Sequence, residues 1–134
     1  MSNIIAIALH RTDVQKGCAF FANKLIEAGI GHDNSKIPLI DDYMQDIATK
    51  TGSEFKAGKW YQAHINQERH HLYEKCPDDV TLIDVMEQLI DCVMAAMARK
   101  GNVSGDFGIS DEIMQKAYKN TVELLKKEII LEND

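Results

Sequence analysis

One stretch of the chain decides its fold class: residues 81–100 read TLIDVMEQLIDCVMAAMARK. The apolar residues in this stretch return every three or four positions, which is the spacing of one face of an α-helix. Gly101 and Asn102 then end the pattern, as a left-handed C-cap does. The stretch predicts a long amphipathic helix that packs its apolar face against other helices. That face consists of Leu82, Val85, Met86, Leu89, Val93 and Met97.

The rest of the chain has the same helical period, and no segment keeps a period of two. The 134 residues are the size of one domain, and they contain no internal repeat. The sequence therefore predicts an all-α fold, a single domain over residues 1–134 built as a bundle of about five helices. The other predicted helices run from Asn3 to about Gly29, from Pro38 to about Thr49, from about Lys59 to Leu72, and onward from a Ser110 cap.

Composition narrows the classes of partner. The formal charge of −6 repels nucleic-acid phosphates and anionic membranes, so we expect no stable nucleic-acid binding and no membrane partner. Cys18, Cys76 and Cys92 form no CxxC pair and leave an odd cysteine, which is typical of free thiols in a reducing compartment. The apolar run from Ile4 to Leu9 is too short to span a bilayer. We therefore expect a cytoplasmic protein.

Three places in the sequence contain residues that could bind a metal ion. Residues 32–36 read HDNSK, which puts an imidazole beside a carboxylate; a capping Asp next to a surface His is the alternative explanation. His10 continues the apolar stripe of the first helix, so we expect its ring to face inward, as a metal ligand or as a core histidine bonded to a backbone carbonyl. Asp91 shares a helix face with Asp84 and Glu87, a face that could equally be solvated.

Together these residues resemble the H…HD…D signature of the HD superfamily of metal-dependent phosphohydrolases. The resemblance implies that His10, His32, Asp33 and Asp91 hold a divalent metal ion between separate helices of a bundle. Two imidazoles and two carboxylates suit Mn, Fe, Co, Ni or Zn, and Mg is a further option. The HDxSK stretch, the RHH triplet and the LIDVMEQ helix are also similar to short HD-like proteins of bacteriophages and bacteria.

A second cluster combines His64 with the triplet Arg69-His70-His71. These histidines are similar to the extra ligands that give some HD phosphodiesterases a second metal ion, but a surface histidine cluster is also an explanation. If they share the predicted third helix, His64 and His71 lie about 10 Å apart along its axis and do not bind one ion. A site with one metal ion, in which the extra histidines bind phosphate or move a proton, then fits the sequence as well as a site with two metal ions.

The resemblance also suggests roles around the metal. Glu87, His70 and His71 are the candidate catalytic residues, Glu87 either as a base for water or as a partner that orients a ligand histidine. Lys36, Arg69 and His64 are the candidate substrate-binding residues, because ammonium and guanidinium groups bind phosphate.

The function that this resemblance implies is hydrolysis of a phosphate ester in a nucleotide or similar small molecule by metal-activated water. Two alternatives stay open: a di-iron oxygenase built on the same fold, and a non-catalytic helical interaction protein. The apolar N-terminus and the run Ile129-Ile130-Leu131 offer surfaces for a homodimer.

Overall fold

The computed structural model of the protein describes residues 2–103 and 107–130, and within these ranges it contains helices and no strand. The prediction of an all-α bundle is confirmed, with six α-helices in place of about five. A 3₁₀ turn, Asn34–Lys36, joins the first two helices, and a π-helical turn, Lys126–Ile130, extends the last. The helices are α1 Asn3–Gly31, α2 Ile40–Thr49, α3 Gly52–Ala57, α4 Lys59–Gln67, α5 Leu82–Lys100 and α6 Asp111–Leu125.

The ends of the two helices that were clearest in the sequence follow local capping chemistry. Helix α5 ends at Gly101, which has φ = 70°, as predicted. Its N-cap is Thr81, whose backbone N–H donates to the Asp84 carboxylate at 2.9 Å in a capping box. Ser110 caps α6 as predicted, with its hydroxyl oxygen accepting the N–H of Ile113 at 3.2 Å.

The helices pack in two groups around a small core. Helix α1 packs on α5 and α5 on α6, while α2 and α3 both pack on α4. The fully buried residues Leu72, Val80 and Ala117 form the centre of the core, between α5, α6 and the irregular segment 68–81. None of the helices within the described ranges combines the length and the apolar character needed to cross a membrane.

One prediction about the middle of the chain is wrong, and one element was not predicted. Helix α2 ends at Thr49 as predicted, and the short helix α3, which the sequence did not predict, begins at Gly52. The third predicted helix stops at Gln67 and does not reach Leu72, because Glu68 takes an extended conformation. The segment that follows buries the side chains of His70 and Leu72. Burial against other elements therefore outweighs the helical preference of residues 68–72.

Candidate metal centre

Most of the side chains that the sequence singles out meet at one place in the bundle. There the end of α1 approaches α4, α5 and segment 68–81. Since α1 ends just before the histidine–aspartate pair, both of these side chains can turn toward α5. We call the assembly the His/Asp cluster; it consists of His32, Asp33, His64, His70, His71, Glu87 and Asp91.

Two buried atoms at the centre of the His/Asp cluster lack the partners that their chemistry requires. Asp33 Oδ1 and His70 Nε2 lie 3.5 Å apart, and neither makes a hydrogen bond to any described residue. Only two other buried side-chain atoms of the described residues share this lack, on Asp46 and Trp60, outside the cluster. Leaving a buried polar atom unpaired costs about 1–3 kcal/mol. A cation between Asp33 and His70 would satisfy both atoms.

The donor atoms of the His/Asp cluster fall into two overlapping groups. Within each group the ligand atoms lie within 4.8 Å of one another, which is close enough to surround one ion. The groups share His70, whose Nε2 can bind only one ion, so of two neighbouring ions only one could have His70 as a ligand. One group is Asp33, His64, His70 and His71, and the other is His32, His70 and Asp91.

The distances between these donors suit ligands of a metal better than they suit direct ion pairs. His32 Nε2 lies 3.3 Å from Asp33 Oδ2 and 3.4 Å from Asp91 Oδ1. His64 Nε2 to Asp33 Oδ1 and His70 Nε2 to Asp91 Oδ2 both measure 3.5 Å. A charged hydrogen bond is shorter, about 2.7–2.9 Å. Two ligands bound tetrahedrally at about 2.0–2.1 Å from one ion are themselves about 3.4 Å apart.

The opposite ring nitrogens are held by partners outside the donor groups. Glu87 Oε1 lies 3.0 Å from His32 Nδ1 and 3.1 Å from His70 Nδ1. Ser35 Oγ lies 3.1 Å from His64 Nδ1. A neutral imidazole that donates its Nδ1–H to a carboxylate keeps the Nε2 lone pair free for an ion. Glu87 therefore orients His32 and His70 with Nε2 toward the donor groups. Nε2 of His64 also lies on this side, 2.8 Å from His71 Nε2.

The pKa shifts of two of the histidines agree with this arrangement, and that of His32 opposes it. Burial, reinforced by the nearby His71, lowers the pKa of His64 to about 4. Burial and the neighbouring His70 also lower the pKa of His71. For His32, burial acts to lower the pKa, but the hydrogen bond to Glu87 and the charges of the aspartates outweigh it and raise the pKa. At neutral pH, His64 and His71 are therefore neutral, as metal ligands must be.

Asp33 is placed by an unusual backbone conformation. Its φ of 56° makes it the one described non-glycine residue in the left-handed region, which Asp tolerates better than most residues. Its Oδ2 accepts an ion pair from Lys36 Nζ at 2.7 Å. Burial acts to raise the pKa of Asp33, but the hydrogen bond and charge of Lys36 outweigh it and lower the pKa. The carboxylate is therefore ionised and available to a cation.

The structure does not bring His10 to the cluster. His10 is exposed on α1 and belongs to neither donor group. The helix that separates it from His32 measures about 30 Å along its axis, which no side chain spans. The prediction that His10 faces inward is wrong, because no described element covers the stripe that it extends at that end of α1.

The expectation that His64 and His71 are separated by two helical turns is also wrong. Their Nε2 atoms lie 2.8 Å apart. The reason is the early end of α4 at Gln67, after which the chain turns and carries the histidine pair back toward His64. The argument against both histidines binding one ion is therefore removed.

The guanidinium of Arg69 is committed to neighbouring carboxylates rather than open to a substrate. Its Nε and Nη2 each donate to the Asp84 carboxylate at 3.1 Å, and Nη1 lies 3.0 Å from Asp79 Oδ1. The hydrogen bond that Arg69 donates to Asp84 is the main reason that the pKa of Arg69 is raised. Asp84 is 6% exposed and also accepts the backbone N–H of Thr81 in the capping box of α5. The predicted phosphate contact of Arg69 therefore conflicts with its geometry.

Replacement of this arginine should reduce stability and leave metal binding intact. Arg69→Ala leaves the buried Asp84 carboxylate without its charged partner, so we expect a loss of about 1–3 kcal/mol in the free energy of unfolding. Denaturant unfolding measures this loss, and metal titration of the folded variant is the control. A variant of normal stability that fails to process substrate would return Arg69 to the substrate site.

Lys36 stands at the edge of the cluster, where it touches both the carboxylate of Asp33 and an aromatic ring. Its ammonium is 6.0 Å from the centre of the Trp60 ring, and its side chain is 39% exposed. Trp60 in turn stacks on His64, with ring centres 5.0 Å apart and planes within 10°. Lys36 is thus the cation that an anionic ligand of the cluster would meet from solvent.

Two cavities open onto the His/Asp cluster. A cavity of about 250 Å³ lies between α1 and α5, where His32, Glu87 and Asp91 form part of its wall. A larger one of about 450 Å³ is bounded by His70, His71 and Asp91 at one end and by apolar residues such as Leu89 and Phe107 at the other. None of the described residues that line the larger cavity is a lysine or an arginine. At about 450 Å³, this cavity has the size of a small-molecule pocket.

Sequence reasoning missed several residues that support the cluster. Trp60 lies four positions before His64 on α4, so the helical spacing already places the two rings on one face. Glu74 lies 3.8 Å from His71 Nδ1 and joins the walls of the larger cavity. Glu68 accepts the backbone N–H of Ser35 at 3.0 Å and fixes the turn after α1. Of these contacts, only that of Glu68 with Ser35 could not be inferred from the sequence, because it joins two distant segments of the chain.

Comparison of the chain with protein-family models, with curated proteins and with solved structures found no match. The evidence for a function of this protein therefore comes from the geometry of the His/Asp cluster.

Proposed function

We propose that the His/Asp cluster binds one or two divalent metal ions and that the protein is a metal-dependent phosphohydrolase acting on a nucleotide or a similar small molecule. The observation that carries the metal site is the pair of buried, unpartnered atoms, Asp33 Oδ1 and His70 Nε2, which face each other at 3.5 Å. The HD resemblance supports the reaction class through His32, Asp33 and Asp91. Its first histidine is the exception, since His10 is remote from the cluster.

The mixture of donors favours some ions over others. Four imidazoles and two carboxylates suit first-row transition ions such as Mn, Fe, Co, Ni and Zn. Mg²⁺ prefers all-oxygen surroundings, so it fits this set least well. His70 Nε2 can bind only one ion, so a second, adjacent ion would be held by the other donors of its group.

In the proposed reaction, the metal ion and the side chains of the protein have different roles. A bound ion of this kind polarises a phosphoryl oxygen and makes its water a nucleophile near neutral pH. Glu87 holds the rings of His32 and His70 in the tautomer that leaves both Nε2 atoms free. Lys36 contributes positive charge where a phosphate would arrive. The larger cavity, with its apolar wall, accommodates the organic part of an ester.

The direct test combines metal analysis of the purified protein with a screen of nucleotides and other phosphate esters for phosphate release. We expect transition metal in stoichiometric amount and turnover that stops with a chelator. A protein that binds no transition metal would remove the whole proposal. Bound metal without phosphate release from any ester would remove the hydrolase and favour the non-catalytic interaction protein.

A second candidate, an oxygenase with two iron ions, is favoured by one observation. The two donor groups are adjacent and rich in histidine, which is compatible with a di-iron site. Stoichiometric iron, together with oxygen consumption that depends on an added organic substrate, would support the oxygenase. Phosphate release in the absence of oxygen would support the hydrolase.

Lys36 should contribute to substrate binding and leave the metal unaffected. Lys36→Ala removes a charge-assisted contact of roughly 1.5–3 kcal/mol, so kcat/KM for a charged phosphate ester should fall about 10- to 100-fold. Metal content should stay that of the parent protein, because Asp33 retains its carboxylate. Phosphate-release kinetics and metal analysis of the same preparation measure the two quantities.

A matched control exists in the pair Lys50 and Asp46. Lys50 Nζ lies 3.0 Å from Asp46 Oδ1 on α2, so Lys50→Ala breaks a similar lysine–aspartate pair outside the donor groups. This variant should keep the parent kcat/KM. An equal loss of activity in both variants would show that Lys36 acts through the general charge of the protein rather than at the cluster.

A further inference from the structure

The N-terminal half of α1 has no covering partner among the described residues of its own chain. Every described residue from Ser2 to Lys16 is exposed. The exposed side chains include Ile4 at 80% and Ile7 at 60%. Helix α1 has 29 residues and is about 43 Å long, whereas the 19 residues of α5 span about 28 Å. An apolar helical arm therefore projects beyond the rest of the bundle.

A large apolar groove lies beside this arm. It encloses about 850 Å³ between α1, α5 and α6. From α1 it receives Val14, Cys18, Phe21 and Leu25, and from α6 it receives the apolar stripe that ends at Ile129. Val122 of that stripe and Val14 are exposed in the single chain. The sequence suggested the run Ile129-Ile130-Leu131 as a further homodimer surface. The side chain of Ile130 and the whole of Leu131 lie outside the described residues.

The accessible surface of the chain is much larger than a monomer of its mass requires. The chain exposes 9587 Å². A folded monomer of 15.1 kDa exposes about 7,100 Å². The excess is roughly 2,500 Å², which is comparable to the area that each partner buries in a large, obligate homodimer. Only three residues form the fully buried apolar cluster, so much of the apolar surface is still uncovered.

Apolar residues lie along one line of α1 on both sides of Arg11. Counted with Arg11, the positions on this line alternate at spacings of three and four, which is the pattern of a helix that pairs with another helix. The break in the stripe is Arg11, whose aliphatic stem can lie along an apolar surface while its charge stays in water. The stripe consists of Ile4, Ile7, Val14, Cys18, Phe21 and Leu25. Its second half lines the groove and its first half is the arm.

We infer that the protein is a homodimer in which the α1 helices of two copies pair antiparallel, with the arm of each copy in the groove of the other. A two-fold axis near Val14 gives this result. Ile7 lies seven residues before Val14 and Phe21 seven residues after it, so the two face each other across the axis. Ile4 then meets the region of Leu25. The pairing thereby covers the arm and the groove of both copies.

The dimer can be tested by sedimentation and light scattering over a range of protein concentrations. The parent protein should have twice the mass of the chain. Ile7→Glu places a charge in the apolar contact, so it should weaken the dimer more than about 100-fold. The control Ile47→Glu, at a position on α2 that is 52% exposed, should leave the dimer intact. Circular dichroism should show unchanged helix content in both variants.

Cross-linking tests the position of the axis without disturbing the contact. In a Cys18→Ser background, Val14→Cys should form a disulfide-linked dimer on mild oxidation, since residues at a two-fold axis face their own copies. Ile47→Cys in the same background should not. A monomeric parent, an Ile7→Glu variant that dimerises normally, or a Val14→Cys variant that does not cross-link would each overturn the antiparallel pairing of α1.

Discussion

Asp33→Asn should lower the affinity of the protein for its metal ion by more than about 100-fold, because it removes a negatively charged donor from the centre of the His/Asp cluster. Asn has nearly the same shape as Asp and also tolerates the left-handed conformation at φ = 56°. The variant should therefore fold. Turnover of any phosphate ester should be lost with the metal. Isothermal titration with Mn²⁺, Co²⁺ or Zn²⁺ and measurement of phosphate release check both effects.

Two control variants separate this effect from a general one. Asp46→Asn makes the same chemical change at another buried aspartate that is paired with a lysine, and Asp46 belongs to neither donor group. His10→Ala removes the histidine that the sequence proposed as a ligand and that the structure leaves exposed on α1. Both should bind metal like the parent protein. Loss of metal in His10→Ala would mean that the actual site includes the N-terminal half of α1.

The parts of the fold that could be predicted are those in which local sequence and tertiary packing agree. Helix α5 has an apolar stripe, a glycine C-cap and no internal breaker, so its extent from the sequence is nearly that of the structure. Ser110 similarly marks the start of α6. The end of α4 was not predictable, because its cause is the burial of Leu72 and His70 against elements that are remote in sequence.

The candidate site shows the same division. The residue types that bind metal are few, so listing the histidines and the carboxylates on predicted helix faces identified the members of the cluster apart from its supporting residues. The sequence could not assign partners. Asp84 and Asp91 share one face of α5, yet Asp84 pairs with Arg69 while Asp91 lies beside His32 and His70. Their separation of two helical turns, about 10 Å along α5, decides which carboxylate supports the fold and which is open to an ion.

His10 shows where a periodic pattern is ambiguous. An apolar stripe predicts that a helix face is covered, but it does not say by which chain. The stripe of α1 continues from Leu25 back to Ile4, whereas its own bundle covers only the half toward Leu25. His10 lies next to Arg11 at the edge of this stripe, and the inward-facing position expected for it assumed that the same bundle covered the whole stripe. If two copies pair through α1, the pattern is satisfied between chains instead.

Removal of the metal should destabilise the protein markedly. An ion that binds only the folded state stabilises it by about 2.7–4.1 kcal/mol when its concentration is 100 to 1,000 times its Kd. For a domain of this size the loss should lower Tm by roughly 8–16 °C. The structural reason is that Asp33 Oδ1 and His70 Nε2 would again be buried without a partner. Thermal unfolding with saturating metal and with excess chelator measures the difference.

The same melting experiment on Asp33→Asn identifies the source of the stabilisation. If the ion binds at the His/Asp cluster, chelator should shift the Tm of the parent protein and leave that of Asp33→Asn nearly unchanged. Asp46→Asn should respond like the parent, since its donor groups are intact. Equal shifts in all three proteins would place the stabilising ion elsewhere. No shift in the parent would mean that the four histidines and two aspartates are held together by their mutual contacts alone, in which case the cluster is a structural feature of the fold and the hydrolase proposal loses its metal.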